Sequence, residues 1–132
     1  MSDKPHVEIY TDGCALGNPG KGGAGAVLTC KSYSKELSIH IEDTTNNRAE
    51  LLAIIYALEA LNMPCRVDIY SDSQITVRCA SGGYQRKKNT DLWMRYNAAS
   101  IGHQITLHWI RKDSHDLNHK AHELANKAAR TA

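Results

Sequence analysis

TTNNRAELLAIIYALEAL, residues 44–61, is the stretch from which the fold can be worked out. Its large apolar residues recur at spacings of three and four, which is typical of a helix with one face against a core. These residues are Leu51, Ile54, Ile55, Leu58 and Leu61. Thr45, Asn46 or Asn47 can cap the helix, and Pro64 follows its end. The sequence therefore predicts a long amphipathic helix near the middle of the chain.

Five stretches on either side of this helix predict β-strands. They alternate polar and apolar residues, or they are short apolar runs bounded by turn residues. Three precede the helix and two follow it, around residues 7–11, 24–30, 36–42, 67–70 and 105–109. We expect the first strand to end at Asp12-Gly13, with a turn rich in glycine and proline from Gly17 to Gly23.

The order of these elements predicts an α/β fold. The first three strands follow one another with short turns, which favours an antiparallel meander, whereas a strand–helix–strand crossover places the later strands parallel to an existing one. Three more helices are expected, over residues 73–79, from Thr90 or Asp91 to Ile101, and over 118–130. We predict a single domain over residues 1–132, with a five-stranded mixed sheet (three antiparallel strands, then two parallel) flanked by helices.

The composition is that of an ordinary globular domain. The chain has 132 residues, of which 42% are hydrophobic and 23% charged, with a net charge of +2. It has no apolar run long enough to span a membrane, and it begins without the apolar stretch of a signal peptide. We therefore expect a cytoplasmic monomer that is not bound to a membrane. The four cysteines lack a CxxC pair and are expected to be reduced thiols used as small buried side chains.

Three acids stand at the borders of these elements. Asp12 ends the first strand and Asp72 follows the fourth, so both emerge at one edge of the sheet if those strands are parallel neighbours. Glu50 borders the buried face of the helix, where a carboxylate is costly unless it is paired or bound to a metal. Each acid alone also fits an ordinary turn, helix start or cap. Together they predict a site for hard divalent cations, which are common catalysts of phosphodiester cleavage.

The strings around these acids closely resemble type 1 ribonuclease H. They are YTDGCALGNPGKGGAGAVL (10–28), TTNNRAELLAIIYALEAL (44–61), YSDSQ (70–74) and NTDLW (89–93), followed by HWI (108–110). The resemblance runs from about Val7 to about Arg130. It implies the ribonuclease H fold and an endonuclease that hydrolyses the RNA strand of RNA–DNA hybrids, leaving 5′-phosphate and 3′-hydroxyl ends. It also implies that Asp12, Glu50 and Asp72 hold two Mg²⁺ or Mn²⁺ ions roughly 4 Å apart.

The same resemblance suggests residues that bind the hybrid. Asn18, Asn46 and Gln74 resemble residues that contact the minor groove, where the 2′-hydroxyl distinguishes RNA from DNA. Thr45 resembles a residue that holds a phosphate of the DNA strand. Arg48 either contacts phosphate or supports the helix, and we favour support.

The loop from Gly82 to Thr90 is shorter than the basic insertion that many cellular members carry at this place, which should weaken electrostatic binding of the hybrid. Its basic run, Arg86, Lys87 and Lys88, is either a phosphate-contacting patch or a solvated loop. The two tryptophans, Trp93 and Trp109, are expected to pack in the core.

The C-terminal segment HWIRKDSHDLNHKAHELANKAA, residues 108–129, departs from the family pattern. Asn118 matches a family asparagine, but His122 stands where the family has a fourth acid. His122 either ligates a metal, directly or through water, or donates a hydrogen bond to a ligand, or is inert. Imidazole suits Mn²⁺ better than Mg²⁺, and one negative charge is lost. We therefore predict weaker Mg²⁺ binding and a relative preference for Mn²⁺.

The loop before the last helix also differs. His115 is the nearest match to the family's loop histidine and is a candidate for assisting product departure, although Asp113 aligns closer to that position. Asp113 or Asp116 can also supply the missing negative charge if the loop folds inward. A zinc site formed by His115, His119 and His122 is disfavoured, because no cysteine or fourth ligand is near.

Three functions remain open from the sequence. The first is an active endonuclease specific for hybrids. The second is a module that binds hybrids with little cleavage, because the fourth acid and the loop histidine have changed. The third is another nuclease on the same fold, such as a resolvase or transposase core, against which the minor-groove asparagines argue.

Overall fold

Five strands lie side by side in one mixed sheet in the computed structural model, which describes residues 4–131. The strands are β1 (His6–Ala15), β2 (Gly20–Cys30), β3 (Tyr33–Thr44), β4 (Arg66–Ser71) and β5 (Gln104–Trp109). Within this described part, four helices flank them: α1 (Asn46–Glu59), α2 (Gln74–Ala80), α3 (Thr90–Ser100) and α4 (Asp116–Arg130). None of these helices is long and apolar enough to cross a membrane.

The sheet has the strand order β3-β2-β1-β4-β5. The pairs β1–β2 and β2–β3 are antiparallel, and the pairs β1–β4 and β4–β5 are parallel. The predicted meander followed by two parallel strands is therefore confirmed. Because β1 and β4 are parallel neighbours, their carboxyl ends meet at the same edge of the sheet.

β1 extends further than the sequence predicted. It passes through Asp12-Gly13 and stays paired with β2 as far as Ala15, with Asp12 opposite Gly25. The hairpin closes with the Leu16 N–H donating to the Lys21 carbonyl oxygen at 2.7 Å. The prediction ended the strand early because Asp-Gly and the glycines after it are typical of turns. Glycine still supplies both backbone hydrogen-bonding groups, so the ladder continues through them.

The main core lies between the sheet and α1. The Thr45 side chain caps α1 by accepting the Arg48 N–H, as expected for a residue of this type. The predicted inward residues Leu51, Ile54, Ile55 and Leu58 are buried on α1, which packs on β1 and β2, and Leu61 is partly buried. Trp93 joins this core, as expected. Trp109 does not: it is 50% exposed, which corrects its predicted place in the core.

α4 covers the other face of β1, β2 and β3. Gly25 permits this close packing, since a Cβ there would lie 2.2 Å from the Ala121 carbonyl oxygen. α4 begins at Asp116, two residues before the prediction, because the His115 side chain caps it by accepting the Leu117 N–H. The capping residue of α3 is Asn89, with φ of 58°, rather than Thr90 or Asp91.

Candidate active site

Three carboxylates meet at the edge of the sheet where the parallel pairing of β1 and β4 ends. That pairing stops at Thr11 and Ser71, so Asp12 and Asp72 follow side by side. Glu50 reaches them from the start of α1, which packs on β1. One carboxylate oxygen from each acid lies within 4.8 Å of the other two. The predicted convergence of the three acids is therefore present in the fold.

Gly13 sets the distance between β1 and α1 at this site. A Cβ at Gly13 would lie 2.3 Å from the carbonyl carbon of Ala49 and 2.4 Å from the Glu50 nitrogen. Only glycine allows this approach, and it brings the Gly13 N–H to 2.6 Å from Glu50 Oε1. The hydrogen bond holds the Glu50 carboxyl against the end of β1, beside Asp12.

Burial and like charge raise the pKa of two of the acids. The pKa of Glu50 lies well above its ordinary value because the carboxyl is buried and because Asp12 and Asp72 are close. The hydrogen bond from Gly13 opposes this rise. The pKa of Asp72 is also raised, first by burial and then by the charge of Asp12. The three acids therefore repel one another in their ionised forms, and a divalent cation between them would remove that repulsion.

Two residues outside the triad lie beside Asp72. Trp109, at the end of β5, donates its Nε1–H to the Asp72 carbonyl oxygen at 3.1 Å. Asn118 is buried in α4, where its Oδ1 accepts the Asp113 N–H at 2.7 Å. Its Nδ2 is close enough to the Asp72 carboxyl to lower the pKa of that group, but it makes no hydrogen bond within residues 4–131. The site thus has a buried amide beside Asp72.

His122 contacts the triad through Asp12. His122 Nδ1 lies 2.7 Å from Asp12 Oδ2, and the histidine is half-buried on α4. One turn later, Asn126 places its Nδ2 at 3.0 Å from His122 Nε2 and at 3.0 Å from the His122 carbonyl oxygen. Both ring nitrogens are therefore engaged by the protein. Sequence reasoning did not identify Asn126, although its spacing of four from His122 places both on one side of a helix.

His115 lies apart from this arrangement. Its ring stacks on Tyr10, with centroids 4.7 Å apart and planes 18° apart, and its Nδ1 accepts the Leu117 N–H at 3.1 Å. These contacts give His115 a structural role at the start of α4. Its predicted part in product departure stays a prediction.

The disfavoured zinc site has no counterpart in the described residues. His119 pairs with Asp113 at 3.3 Å, on the exposed side of the loop, whereas His122 faces Asp12. Between residues 4 and 131, the only group of three or more metal-ligating side chains with atoms within 4.8 Å of one another is the acid triad. The carboxylate oxygens of the triad suit Mg²⁺ or Mn²⁺ rather than a thiolate- or imidazole-bound metal.

The residues expected at the minor groove lie on three segments of the chain that adjoin those of the acids. Asn18 is exposed in the turn between β1 and β2, and Gln74 is exposed at the start of α2, two residues after Asp72. Asn46 begins α1 and also anchors the hairpin, because its Oδ1 accepts the Ala15 N–H at 2.8 Å. Thr45 uses its hydroxyl to cap α1.

The three residues of the basic run, Arg86, Lys87 and Lys88, lie in different surroundings. The Arg86 guanidinium lies 4.3 Å from the ring centre of Trp93 and donates to Asn97 Oδ1 at 2.8 Å and to two carbonyl oxygens of α2. These partners join α2 to α3 and give Arg86 a structural role, so its contact with phosphate stays a prediction. Lys87 and Lys88 are exposed. They border a cavity of about 270 Å³ that is also lined by Asn47, Ile75 and Trp93.

Arg48 supports the helices, as the sequence analysis favoured. Its guanidinium pairs with both oxygens of Asp91, at 3.0 and 2.8 Å, and donates to Asn89 Oδ1 at 3.2 Å. This pairing lowers the pKa of Asp91 to about 2. Arg48 thereby ties the start of α1 to the start of α3.

Comparison with known proteins places this arrangement in a family. A model of the RNase H family matches residues 4–130. The chain is 46% identical to a ribonuclease H of Agrobacterium fabrum, over 92% of this chain and 93% of the relative, and 43% identical to one of Shewanella woodyi, over 98% and 89%. The crystal structure of LC11-RNase H1 in complex with an RNA/DNA hybrid superimposes with a TM-score of 0.83 at 33% identity, covering 93% of this chain and 96% of that one.

Proposed function

This chain belongs to the ribonuclease H family, and we propose from that premise that it hydrolyses the RNA strand of RNA–DNA hybrids at the Asp12–Glu50–Asp72 site. The reaction depends on divalent cations, Mg²⁺ or Mn²⁺, two per site, and leaves 5′-phosphate and 3′-hydroxyl ends. The enzyme works as a single-domain monomer. The hybrid bound by the related LC11-RNase H1 supports the choice of substrate.

The convergence of the three acids carries this proposal. Three carboxylates within 4.8 Å of one another, two of them with raised pKa values, form a site whose repulsion a divalent cation offsets. Oxygen ligands are those that Mg²⁺ and Mn²⁺ prefer. When bound, a pair of such cations supplies the charge that activates the attacking water and stabilises the leaving 3′ oxygen.

The protein's own groups hold this site in shape. The Gly13 N–H fixes one oxygen of Glu50, and the Trp109 N–H fixes the carbonyl group of Asp72. Fixed ligands keep their geometry when substrate binds, which is how an active site favours the transition state over the ground state. Lys112 is close enough to Asp72 to lower its pKa and is therefore a cation at the edge of the site.

The surface around the triad provides the contacts for the hybrid. Asn18, Asn46 and Gln74 offer amides for the minor groove, where a 2′-hydroxyl is both donor and acceptor. Thr45 lies at the start of α1, where backbone N–H groups favour a phosphate. Lys87 and Lys88 add positive charge near the same helix start.

His122 enters this scheme as the donor to Asp12, the second of the three interpretations. Its Nδ1 is 2.7 Å from Asp12 Oδ2. It leaves the site with one negative charge fewer than a fourth acid would give, so we expect weaker binding of Mg²⁺ than in a four-acid site. His115 remains a candidate for product release through movement of its loop.

The test is cleavage of an RNA–DNA hybrid labelled on the RNA strand, with duplex RNA and duplex DNA beside it, in Mg²⁺ and in Mn²⁺. We expect cleavage of the hybrid alone, products with 5′-phosphate ends, and loss of cleavage in Asp12→Asn and Asp72→Asn. Arg130→Gln, an exposed change outside the triad, is the matched control. Tight hybrid binding without cleavage in either ion would instead establish a binding module, and cleavage of duplex DNA would establish another nuclease on this fold.

A further inference from the structure

Asn126 lies one helical turn after His122 and makes two contacts with it. Its Nδ2 is 3.0 Å from the His122 carbonyl oxygen and 3.0 Å from His122 Nε2. Asn126 is half-buried, on the side of α4 that borders the active site. Its side chain contacts none of the three acids within hydrogen-bond distance, so any effect on them passes through His122.

The two contacts decide which ring nitrogen of His122 carries the hydrogen. A carbonyl oxygen only accepts, so the atom of Asn126 that meets it is the amide nitrogen, a donor with two hydrogens. Nδ2 also lies 3.0 Å from His122 Nε2, and a donor at this distance requires Nε2 to be the accepting ring nitrogen. The hydrogen lies on Nδ1, and Nδ1 donates it to Asp12 Oδ2 at 2.7 Å.

We propose that Asn126 is a positioning residue of this active site, which holds His122 as a hydrogen-bond donor to Asp12 and withholds its other ring nitrogen from divalent cations. The inference rests on the proposed function. In this arrangement Asp12 Oδ2 is taken by His122, and Asp12 Oδ1 would be left for a cation. The cations then meet oxygen ligands alone.

The choice between Mg²⁺ and Mn²⁺ follows from this arrangement. Mg²⁺ prefers oxygen ligands, whereas Mn²⁺ also accepts imidazole nitrogen. A His122 ring released from Asn126 can turn and offer whichever of its nitrogens lacks a hydrogen to a cation, which favours Mn²⁺. Asn126 therefore reduces the preference for Mn²⁺ that a histidine at position 122 would otherwise create. Groups that orient a ligand of a metal site typically change metal affinity by about 10- to 100-fold when removed.

A merely structural role for Asn126 predicts a different result. Asparagine is a poorer helix former than leucine, so Asn126→Leu, of similar size, should not lower the helical stability of α4. If Asn126 served only the helix, the variant would leave the hydrogen position on His122 and the metal preference unchanged.

The first measurement is ¹⁵N NMR of the His122 ring in the protein free of metal and substrate, at about pH 8.5 where an ordinary imidazole is neutral. Protonated and unprotonated ring nitrogens resonate in separate regions. We expect the hydrogen on Nδ1 in the unmodified protein and in Lys127→Ala, the exposed control on the same helix. In Asn126→Leu and in Asn126→Ala, we expect a shift towards hydrogen on Nε2. Hydrogen on Nε2 in the unmodified protein, or no shift in either variant, overturns the proposal.

The second measurement is the affinity for Mn²⁺ and for Mg²⁺ by calorimetry without substrate. We expect the ratio of the two affinities to rise about tenfold in favour of Mn²⁺ in Asn126→Leu, and to stay constant in Lys127→Ala. If the ratio of Mn²⁺ to Mg²⁺ affinity is unchanged in Asn126→Leu, Asn126 does not keep Nε2 away from the cations and the proposal is wrong. Neither measurement depends on cleavage of the hybrid. Absence of ribonuclease activity would therefore count against the proposed function, while both measurements would still test the role of Asn126.

Discussion

The backbone N–H of Gly13 lies 2.6 Å from Glu50 Oε1, so the end of a strand and the start of a helix are joined at the centre of the acid site. The contact exists because position 13 has no side chain: a Cβ would lie 2.4 Å from the Glu50 nitrogen. The absence of a side chain at Gly13 thus allows α1 to pack closely on β1 and positions the carboxylate of Glu50, a proposed metal ligand.

Gly13→Ala should therefore impair the site more than it impairs the fold. Overpacking of this kind costs about 1–3 kcal/mol in the free energy of unfolding, whereas a displacement of catalytic groups by about 1 Å can lower the rate 100-fold. We expect a folded variant with cleavage reduced about 100-fold, measured by urea unfolding and by hybrid cleavage. Gly83→Ala is the control, because a Cβ there meets its nearest atom at 3.4 Å. Near-normal cleavage by Gly13→Ala would contradict the role assigned to the contact.

The raised pKa values of Glu50 and Asp72 predict how stability of the metal-free protein depends on pH. For both acids the folded pKa lies above the unfolded one. Their contribution to stability is therefore fully present below the unfolded pKa, at about pH 4, and is lost as pH rises through the folded values. Glu50→Gln mimics the protonated acid and keeps an oxygen for the Gly13 N–H. It should be more stable than the unmodified protein in EDTA, increasingly so with rising pH.

Urea unfolding across this pH range, with and without Mn²⁺, measures the effect. Added Mn²⁺ should reverse the order, because the cation binds the folded unmodified protein and stabilises it, while the variant has lost a ligand. Glu36→Gln, on the exposed outer strand, is the control and should show no such dependence. A variant at Glu50 that is less stable than the unmodified protein at high pH without metal would refute the argument.

The strands, α1 and the convergence of the acids could be predicted from the sequence, because periodicity and strand order determine them. The contacts of Arg86 and Trp109 could not. Arg86 stands in a basic run, yet its partners Trp93 and Asn97 come from the next helix, which periodicity alone does not bring near. Trp109 alternates with Ile105 and Leu107 as a core residue would.

The place of Trp109 in the sheet overrides that alternation. β5 is an edge strand and Trp109 is its last residue, opposite Ser71. Its side chain is exposed at this position, and its N–H reaches the backbone of Asp72. The position of β5 at the edge of the sheet, rather than the alternation within the strand, determines that the Trp109 side chain is exposed.

Lys87 and Lys88 should contribute to hybrid binding through charge alone. Log affinity falls as log salt rises, and each phosphate contact that is lost makes this fall less steep by about 0.7–0.9. We expect the double variant Lys87→Gln/Lys88→Gln to bind the hybrid more weakly at low salt. The fall of log affinity with log salt should be less steep by up to about 1.8, the value for two lost contacts. Lys4→Gln/Lys35→Gln is the matched control, because Lys4 precedes β1 and Lys35 lies near the start of β3, opposite Leu28. If the salt dependence of hybrid binding falls equally in both double variants, the lysines act through the net charge of the protein rather than through contacts at one surface.

His122→Asp tests the change at the position of the fourth acid. The aspartate restores one negative charge beside Asp12, and Asn126 keeps its contact with the backbone carbonyl oxygen of residue 122. A site with four carboxylates attracts Mg²⁺ more strongly, so activity at limiting Mg²⁺ should rise about tenfold, while activity in Mn²⁺ should change less. The measurement is the rate of hybrid cleavage as a function of each ion's concentration. His119→Asp is the control, since it adds the same charge on the exposed side of α4. If His122→Asp leaves the Mg²⁺ dependence unchanged, the histidine does not set the metal affinity of this site, and that affinity rests on Asp12, Glu50 and Asp72 alone.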